Sequence, residues 1–450
     1  MTERNEFLVN LINKHEKEIR EAERWLWEHP QTGYTEWEAH NYLAEQFESL
    51  GYELVKAGNI PGFYADIDTG RPGPKICLMG ELDALEMPNH PEAVNGMAHA
   101  CGHNAQGAAV LGLAYALKEP GALDGMCGSV RLMMVPAEEM IQLEFREELR
   151  KQGVIRFMGG KPEFIARGFF DDVDIAMMVH GAPGSNVDFL CFAGHNGCIA
   201  KTMTYKGKAS HAGGAPQDGI NAQYAAMLGL QACNDLRETF VEKDQIRFHP
   251  ILKGANCAVN IIPDEMKIES FVRGKSMEAM IRENKKMNRA MTGGALSMGA
   301  KLEISDRSGY SPDRYDKHFL ELAEIVCKDI AGEENVKFHY HYFSTGSTDF
   351  ADITKIMPGI HIYGGGALGH GHGNDYLIPD GFKVSGNAAK AMLCVTNELF
   401  SNNAAKAKEI IDNYEPTYKS SKEYVEEMEK MNRDIDAVIY EEDGSVKINL

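Results

Sequence analysis

No uninterrupted apolar run in this 450-residue chain reaches the ~18 residues that a membrane-spanning helix needs. The first residues, Met1-Thr2-Glu3-Arg4-Asn5, are polar and lead into a helical pattern, so no secretory signal peptide is expected. Cysteine is not arranged for a disulfide framework: the nine residues are an odd number, scattered, and mostly set in apolar runs where a buried free thiol is expected. Positive charge is in deficit, with 46 Lys and Arg against 66 Asp and Glu, a net charge of -20. Such a surface repels phosphate backbones and is not drawn to anionic bilayers, so neither nucleic acid nor membrane is an expected partner. Internal repeats and low-complexity segments are also missing. What remains is a chain of ordinary globular composition, 44% hydrophobic and 25% charged, long enough for two or three domains. A soluble cytoplasmic protein is expected.

Phe7, Leu8, Leu11 and Ile12 recur at helical spacing, and the pattern runs on through Trp25-Leu26-Trp27 to His29-Pro30. A second helix is expected over 35–50. Strands are expected at 62–67, 75–80, 129–135 and 174–180, with a small-residue buried helix over 105–117 and a polar excursion at 141–160. Strands alternating with helices predict a mixed, mostly parallel sheet sandwiched by helices. Near Ala193-Gly194 the pattern changes. Strand-like runs at 199–205, 245–253, 255–262 and 265–273, with helices at 221–236 and 277–295, suit an inserted α+β, ferredoxin-like domain. The expected division is therefore 1–193 with 313–401, an insert at 194–312, and a charged extension at 402–450. That extension should hold a helix over 421–433 and a hairpin over 438–448.

Three segments carry metal-ligand chemistry. Cys101 and His103 lie two apart in Met97-Ala98-His99-Ala100-Cys101-Gly102-His103-Asn104, and the glycine between them allows a tight turn. Glu138 and Glu139 follow an apolar strand, and His180 ends another. Thiolate, imidazole and carboxylate are the donors that borderline divalent metals take. In a parallel sheet the carboxyl ends of the strands gather the ligand site, and Glu81, Glu138 and His180 all follow strand-like runs, so these three segments should converge on one edge. One Glu would bind metal while the other takes a proton from water. His370 and His372, in a Gly/His-rich loop, compete for one remaining ligand role, and chemistry alone does not choose between them.

The ordered motifs Gly80-Glu81-Leu82-Asp83-Ala84-Leu85, His99-Ala100-Cys101-Gly102-His103-Asn104, Pro136-Ala137-Glu138-Glu139, His180, Gly207-Lys208-Ala209-Ser210-His211-Ala212, Asn260-Ile261-Ile262-Pro263-Asp264 and Arg273 resemble the M20 family of metallopeptidases. Within it the chain looks like the amidohydrolase subfamily. Gly346-Ser347-Thr348-Asp349-Phe350 and Pro358-Gly359-Ile360-His361 are closest to its aminobenzoyl-glutamate hydrolase and β-alanyl-lysine dipeptidase branch.

The resemblance implies a catalytic domain with two divalent ions per subunit, Zn²⁺ or Mn²⁺ with Co²⁺ admissible, and a lid domain that also makes a homodimer. It assigns Cys101 as the bridging ligand, with His103, His180, Glu139 and His372 as the others. His372 is preferred to His370 because the family has an aromatic four residues on, where Tyr376 stands. Glu138 would be the base, and Asp83 would orient a ligand. His211 would reach the scissile carbonyl from the partner subunit, and Asn260 and Arg273 would hold a substrate carboxylate. The implied reaction is hydrolysis of the amide bond of an N-acyl amino acid, an aminobenzoyl-glutamate-like amide or a small dipeptide. The alternatives are a carboxypeptidase acting on longer peptides and a non-catalytic metal-binding dimeric scaffold. The chain departs from the pattern at Asn104, where much of the subfamily has Asp, and at Glu81, where the wider superfamily has a ligand His.

Overall fold

A computed structural model describes residues 1–254 and 257–450. The chain forms two compact units. The first comprises Met1–Gly194, Asp313–Ser344 and Asp352–Tyr424; the second comprises His195–Pro312, Thr345–Ala351 and Val425–Leu450.

The first unit is built on an eight-stranded mixed sheet. Its strands lie in the order Val55–Lys56, Phe63–Asp68, Ser129–Val135, Lys75–Glu81, Ile175–Gly181, Gly359–Gly364, Phe189–Cys191 and Val336–Phe338. The four from Ser129–Val135 to Gly359–Gly364 are mutually parallel. They read as near-continuous apolar runs because helices cover a parallel sheet on both faces. Six of the seven residues of Lys75–Glu81 are buried, as are six of seven in Ser129–Val135. The helix His103–Leu117 is buried at every position but Tyr115, as expected of a helix apolar all round. Register levels the strand ends: Glu81 pairs with Val135, and His180 with Tyr363. The turns carrying Asp83, Glu138 and His180 therefore leave the same edge of the sheet.

The second unit carries an antiparallel sheet in the order Arg247–Phe248, Glu265–Gly274, Gly197–Lys206, Lys301–Tyr310, Arg433–Tyr440 and Val446–Ile448. Ile251–Lys253 also pairs with Glu265–Gly274. Helices Ala222–Asp235 and Met277–Met298 pack on it through Met203, Tyr205, Ile268, Met287, Met291 and Leu302.

Several expectations are corrected. The opening helix is broken at His15 into Glu3–Lys14 and Glu16–Glu28. The strand expected over 255–262 is absent from its described residues, 257–262, which hold one isolated bridge, Ile261 with His211; Ala255 and Asn256 lie outside the described residues. The strand Lys301–Tyr310 has no counterpart among the expected strands. A long helix, expected over 381–400, runs as Gly381–Asn413 with non-helical backbone at Ser401–Ala404. The helix expected over 421–433 stops at Glu429, because Arg433–Tyr440 is a strand. The hairpin is present, with Val438 opposite Ile448. Residues 402–450 do not form a body of their own: 402–424 fall in the first unit and 425–450 in the second.

Candidate metal centre

The site begins with a turn. Gly102 has φ +83° and opens the helix His103–Leu117, so Cys101 and His103 flank a left-handed residue. A side chain there would be strained, and a Cβ would come within 2.3 Å of the Tyr376 hydroxyl. Two non-glycine residues nearby also hold positive φ, Ala137 at 58° and His372 at 62°. Such backbone persists only where its surroundings enforce it. His372 is held by its N–H donating to the Ala100 carbonyl at 2.9 Å, and Ala137 by its N–H donating to Glu36 Oε1 at 2.7 Å.

These turns bring six side chains of the first unit together. Ligand atoms of Cys101, His103 and His180 lie within 4.8 Å of one another, as do those of Cys101, Glu139 and His372, and those of His103, Glu138 and Glu139. Cys101 Sγ is 3.3 Å from His180 Nε2, and His372 Nε2 is 2.9 Å from Glu139 Oε1. His370 points elsewhere: its Nδ1 meets Asp375 Oδ2 at 2.7 Å, with the side chain 85% exposed.

The imidazoles are oriented from behind. His103 Nδ1 donates to the Asp83 carbonyl at 2.9 Å and faces Asp83 Oδ1 at 3.0 Å. His180 Nδ1 donates to the Gly181 carbonyl at 2.7 Å. Both rings therefore turn Nε2, the nitrogen with the free lone pair, towards the thiol. Asp83, fully buried, also accepts the Glu139 N–H at 2.8 Å through Oδ2, so one carboxylate fixes two donors. Arg146 donates to the carbonyls of Glu139 and Met158. Glu81 takes no free place: buried Lys161 pairs with Oε1, Gln106 donates to Oε2 at 2.7 Å, and His103 Nε2 lies 3.2 Å from Oε2.

The charges betray what the cluster wants. Burial opposes ionisation of Cys101, yet His180 and His103 carry its thiol well below the ordinary range. Burial, then Cys101, pushes the Glu139 carboxyl up. Burial would lower His372, but Cys101 and Glu139 carry it up to about 11. A buried thiolate beside buried carboxylates demands compensating positive charge, and here borrowed protons on imidazoles supply it. Cations at this point would do the same for a donor set of sulfur, nitrogen and oxygen. The residues thus fit a divalent metal centre.

His211, Asn260 and Arg273 belong to the second unit. His211 is exposed, and its Nδ1 accepts the N–H groups of Gly213 and Gly214 at 3.1 and 2.9 Å. The Ala212 N–H donates to the Asn260 carbonyl at 2.9 Å, so these two segments are neighbours. Arg273 Nε donates to His249 Nε2 at 3.1 Å, and Nη1 to Ser347 Oγ at 3.4 Å. Sequence reasoning missed Arg146, Lys161 and Glu36, all buried. Only the proximity of 141–160 to the Glu138-Glu139 pair could have pointed to Arg146.

Residues 63–393 match the model of peptidase family M20/M25/M40. The human Xaa-Arg dipeptidase is 28% identical over 389 residues, covering 80% of each chain. One of the p-aminobenzoyl-glutamate hydrolase subunits of Escherichia coli is 28% identical over 70% of this chain and 63% of its own length. The fold is shared with a dinuclear metal binding peptidase of the M20 family from Bacillus subtilis, at TM-score 0.63 and 21% identity over 86% of this chain and 99% of that one. It is shared too with an aminobenzoyl-glutamate utilization protein from Klebsiella pneumoniae, at TM-score 0.66 and 18% identity over 89% and 100%. Among the described residues, no helix is long and apolar enough to cross a membrane. The match over most of the chain and the convergent donors lead to one conclusion: the chain belongs to peptidase family M20/M25/M40 and is a metal-dependent hydrolase of amide bonds.

Proposed function

We propose that this protein is a cytoplasmic enzyme that hydrolyses the amide bond of a small substrate with a free carboxylate. The substrate is an N-acyl amino acid, an aminobenzoyl-glutamate-like amide or a small dipeptide. The observation that carries the reading is the convergence of five donors and one further carboxylate, with His103 and His180 both committed through Nδ1. Cys101, His103, Glu139, His180 and His372 would hold two divalent ions, Zn²⁺, Mn²⁺ or Co²⁺, with Cys101 shared. When bound, such a pair supplies Lewis acidity, polarising the amide carbonyl and lowering the pKa of a water.

The chain's own residues do the rest. Glu138 takes the proton of the attacking water and passes it to the leaving nitrogen. Asp83 keeps His103 in the tautomer that offers Nε2. The segment 194–312 acts as a lid and dimer contact. Helix Ala222–Asp235 supports the contact by exposing Tyr224, Met227 and Leu228, and strand Ile251–Lys253 by exposing Ile251 and Leu252. His211, with Nδ1 occupied as an acceptor, carries its proton on Nε2 and can donate to the developing oxyanion of a partner's substrate. Arg273 and Asn260 receive the substrate carboxylate. The test is Glu138→Ala against a panel of acylated amino acids and dipeptides with added Zn²⁺, Mn²⁺ or Co²⁺. Turnover by the wild type and its loss in the variant is the expected result. Undiminished turnover would remove Glu138 from this role.

A further inference from the structure

Tyr376 lies four residues past His372, and its side chain is 1% exposed. The ring is clamped. It stacks on Trp27 at 6.3 Å with an interplanar angle of 18°, and the residue's carbonyl meets His90 Nε2 at 3.0 Å. Leu85, Ala100 and Ala367 complete this cluster, and Cys101 packs against it. The hydroxyl end cannot swing to solvent. It is wedged between two turns: a Cβ on Gly102 would stand 2.3 Å from its oxygen, and one on Gly181 3.4 Å away. Gly102 separates Cys101 from His103, and Gly181 follows His180.

Among the described residues this hydroxyl makes no hydrogen bond. A buried hydroxyl without a partner costs about 1–3 kcal/mol, and phenylalanine would fill the same space without that penalty. A natural orphan of this kind calls for an explanation, and an absent ion is one of the standard ones. A phenol hydroxyl is a hydrogen-bond donor as well as an acceptor.

We propose that Tyr376 is a positioning residue of the loaded metal centre, donating its hydroxyl hydrogen to the Cys101 thiolate. The inference rests on the metal-dependent reading above. A hydrogen bond to a ligating thiolate draws charge from the sulfur and fixes its direction, as outer hydrogen bonds to metal ligands do.

The experiment compares wild type with Tyr376→Phe, each metal-free and loaded with Co²⁺. In the loaded variant the sulfur-to-cobalt charge-transfer band moves to longer wavelength, and Co²⁺ affinity falls on the order of tenfold. The metal-free variant melts at the wild-type temperature or above it. An unchanged band and affinity overturn the proposal alone. So does an equal loss of melting temperature in the metal-free and loaded variants, since a purely structural role predicts that. Failure of the wild type to take up Co²⁺ overturns the metal reading and this proposal together.

Discussion

A buried polar cluster of the first unit and one of the second are opposites. In the second unit Lys201 Nζ pairs with Asp306 and donates to Asn288 Oδ1 at 2.5 Å. Asn284 and Asn288 donate to Asp306 Oδ2 at 2.8 and 3.3 Å. One cation meets one anion, and two neutral amides complete the ring. In the first unit Cys101, Glu138 and Glu139 crowd around three imidazoles, and only protons borrowed by those rings offset the gathered acceptors. A closed network holds a fold together, whereas convergence of acceptors holds something else. Burial of polar groups does not separate the two cases; the sign of their partners does.

The contrast can be broken from either side. The largest effect should come from the closed cluster. Lys201→Met leaves Asp306 buried without its counter-charge, and unfolding in urea should show a loss of about 3–5 kcal/mol. Metal uptake should stay unchanged. Adding Asp306→Leu should recover much of the loss, because an apolar pair of similar volume often substitutes for a buried ion pair.

The open cluster should behave the other way. Cys101→Ala in metal-free protein relieves crowded negative charge and should leave stability within about 1 kcal/mol of wild type. With metal at 100 times its dissociation constant the wild type gains about 2.7 kcal/mol, and thermal melting should show that gain vanish in the variant. A metal-free variant that unfolds as readily as Lys201→Met would erase the distinction between the clusters.

A smaller effect lies beside the open cluster at Glu23. Its Oε1 accepts from the neutral Asn104 amide at 2.6 Å, and burial raises its pKa to about 7. The folded value exceeds the unfolded one, near 4.5. Its contribution is therefore full below that unfolded value and is lost as pH rises through about 7. Glu23→Gln should be neutral at pH 4 and stabilise on the order of 1–2 kcal/mol at pH 8. Equal stability difference at both pH values would count against this charge assignment.

The sequence exposes the open cluster better than the closed one. Ser129–Val135 ends in the apolar run Leu132-Met133-Met134-Val135, and Ile175–Gly181 is apolar up to His180, so the donors at their ends stand out against them. Lys301–Tyr310 hides because its inward face alternates Leu302, Ile304, Asp306 and Ser308. Asp306 is buried because Lys201, Asn284 and Asn288 come to meet it, and Ser308 because Asn432 does. Arg433–Tyr440 hides for a related reason: its first half is charged and mostly exposed, and pairing with Lys301–Tyr310 gives it its strand conformation. Arg146 and Lys161 look like part of a solvated stretch because their partners, the carbonyls of Glu139 and Met158 and the Glu81 carboxylate, are brought in by folding. Donor chemistry alone does not choose between His370 and His372, and only the resemblance, through Tyr376 four residues past His372, makes the choice from the sequence.

The most direct test is metal content per chain, measured by mass spectrometry after gel filtration of protein loaded with Zn²⁺, for wild type and Cys101→Ala. Two ions per wild-type chain and a clear deficit in the variant, with helix content unchanged, is the predicted result. A wild type that retains no metal, or a variant that holds as much, would contradict the account.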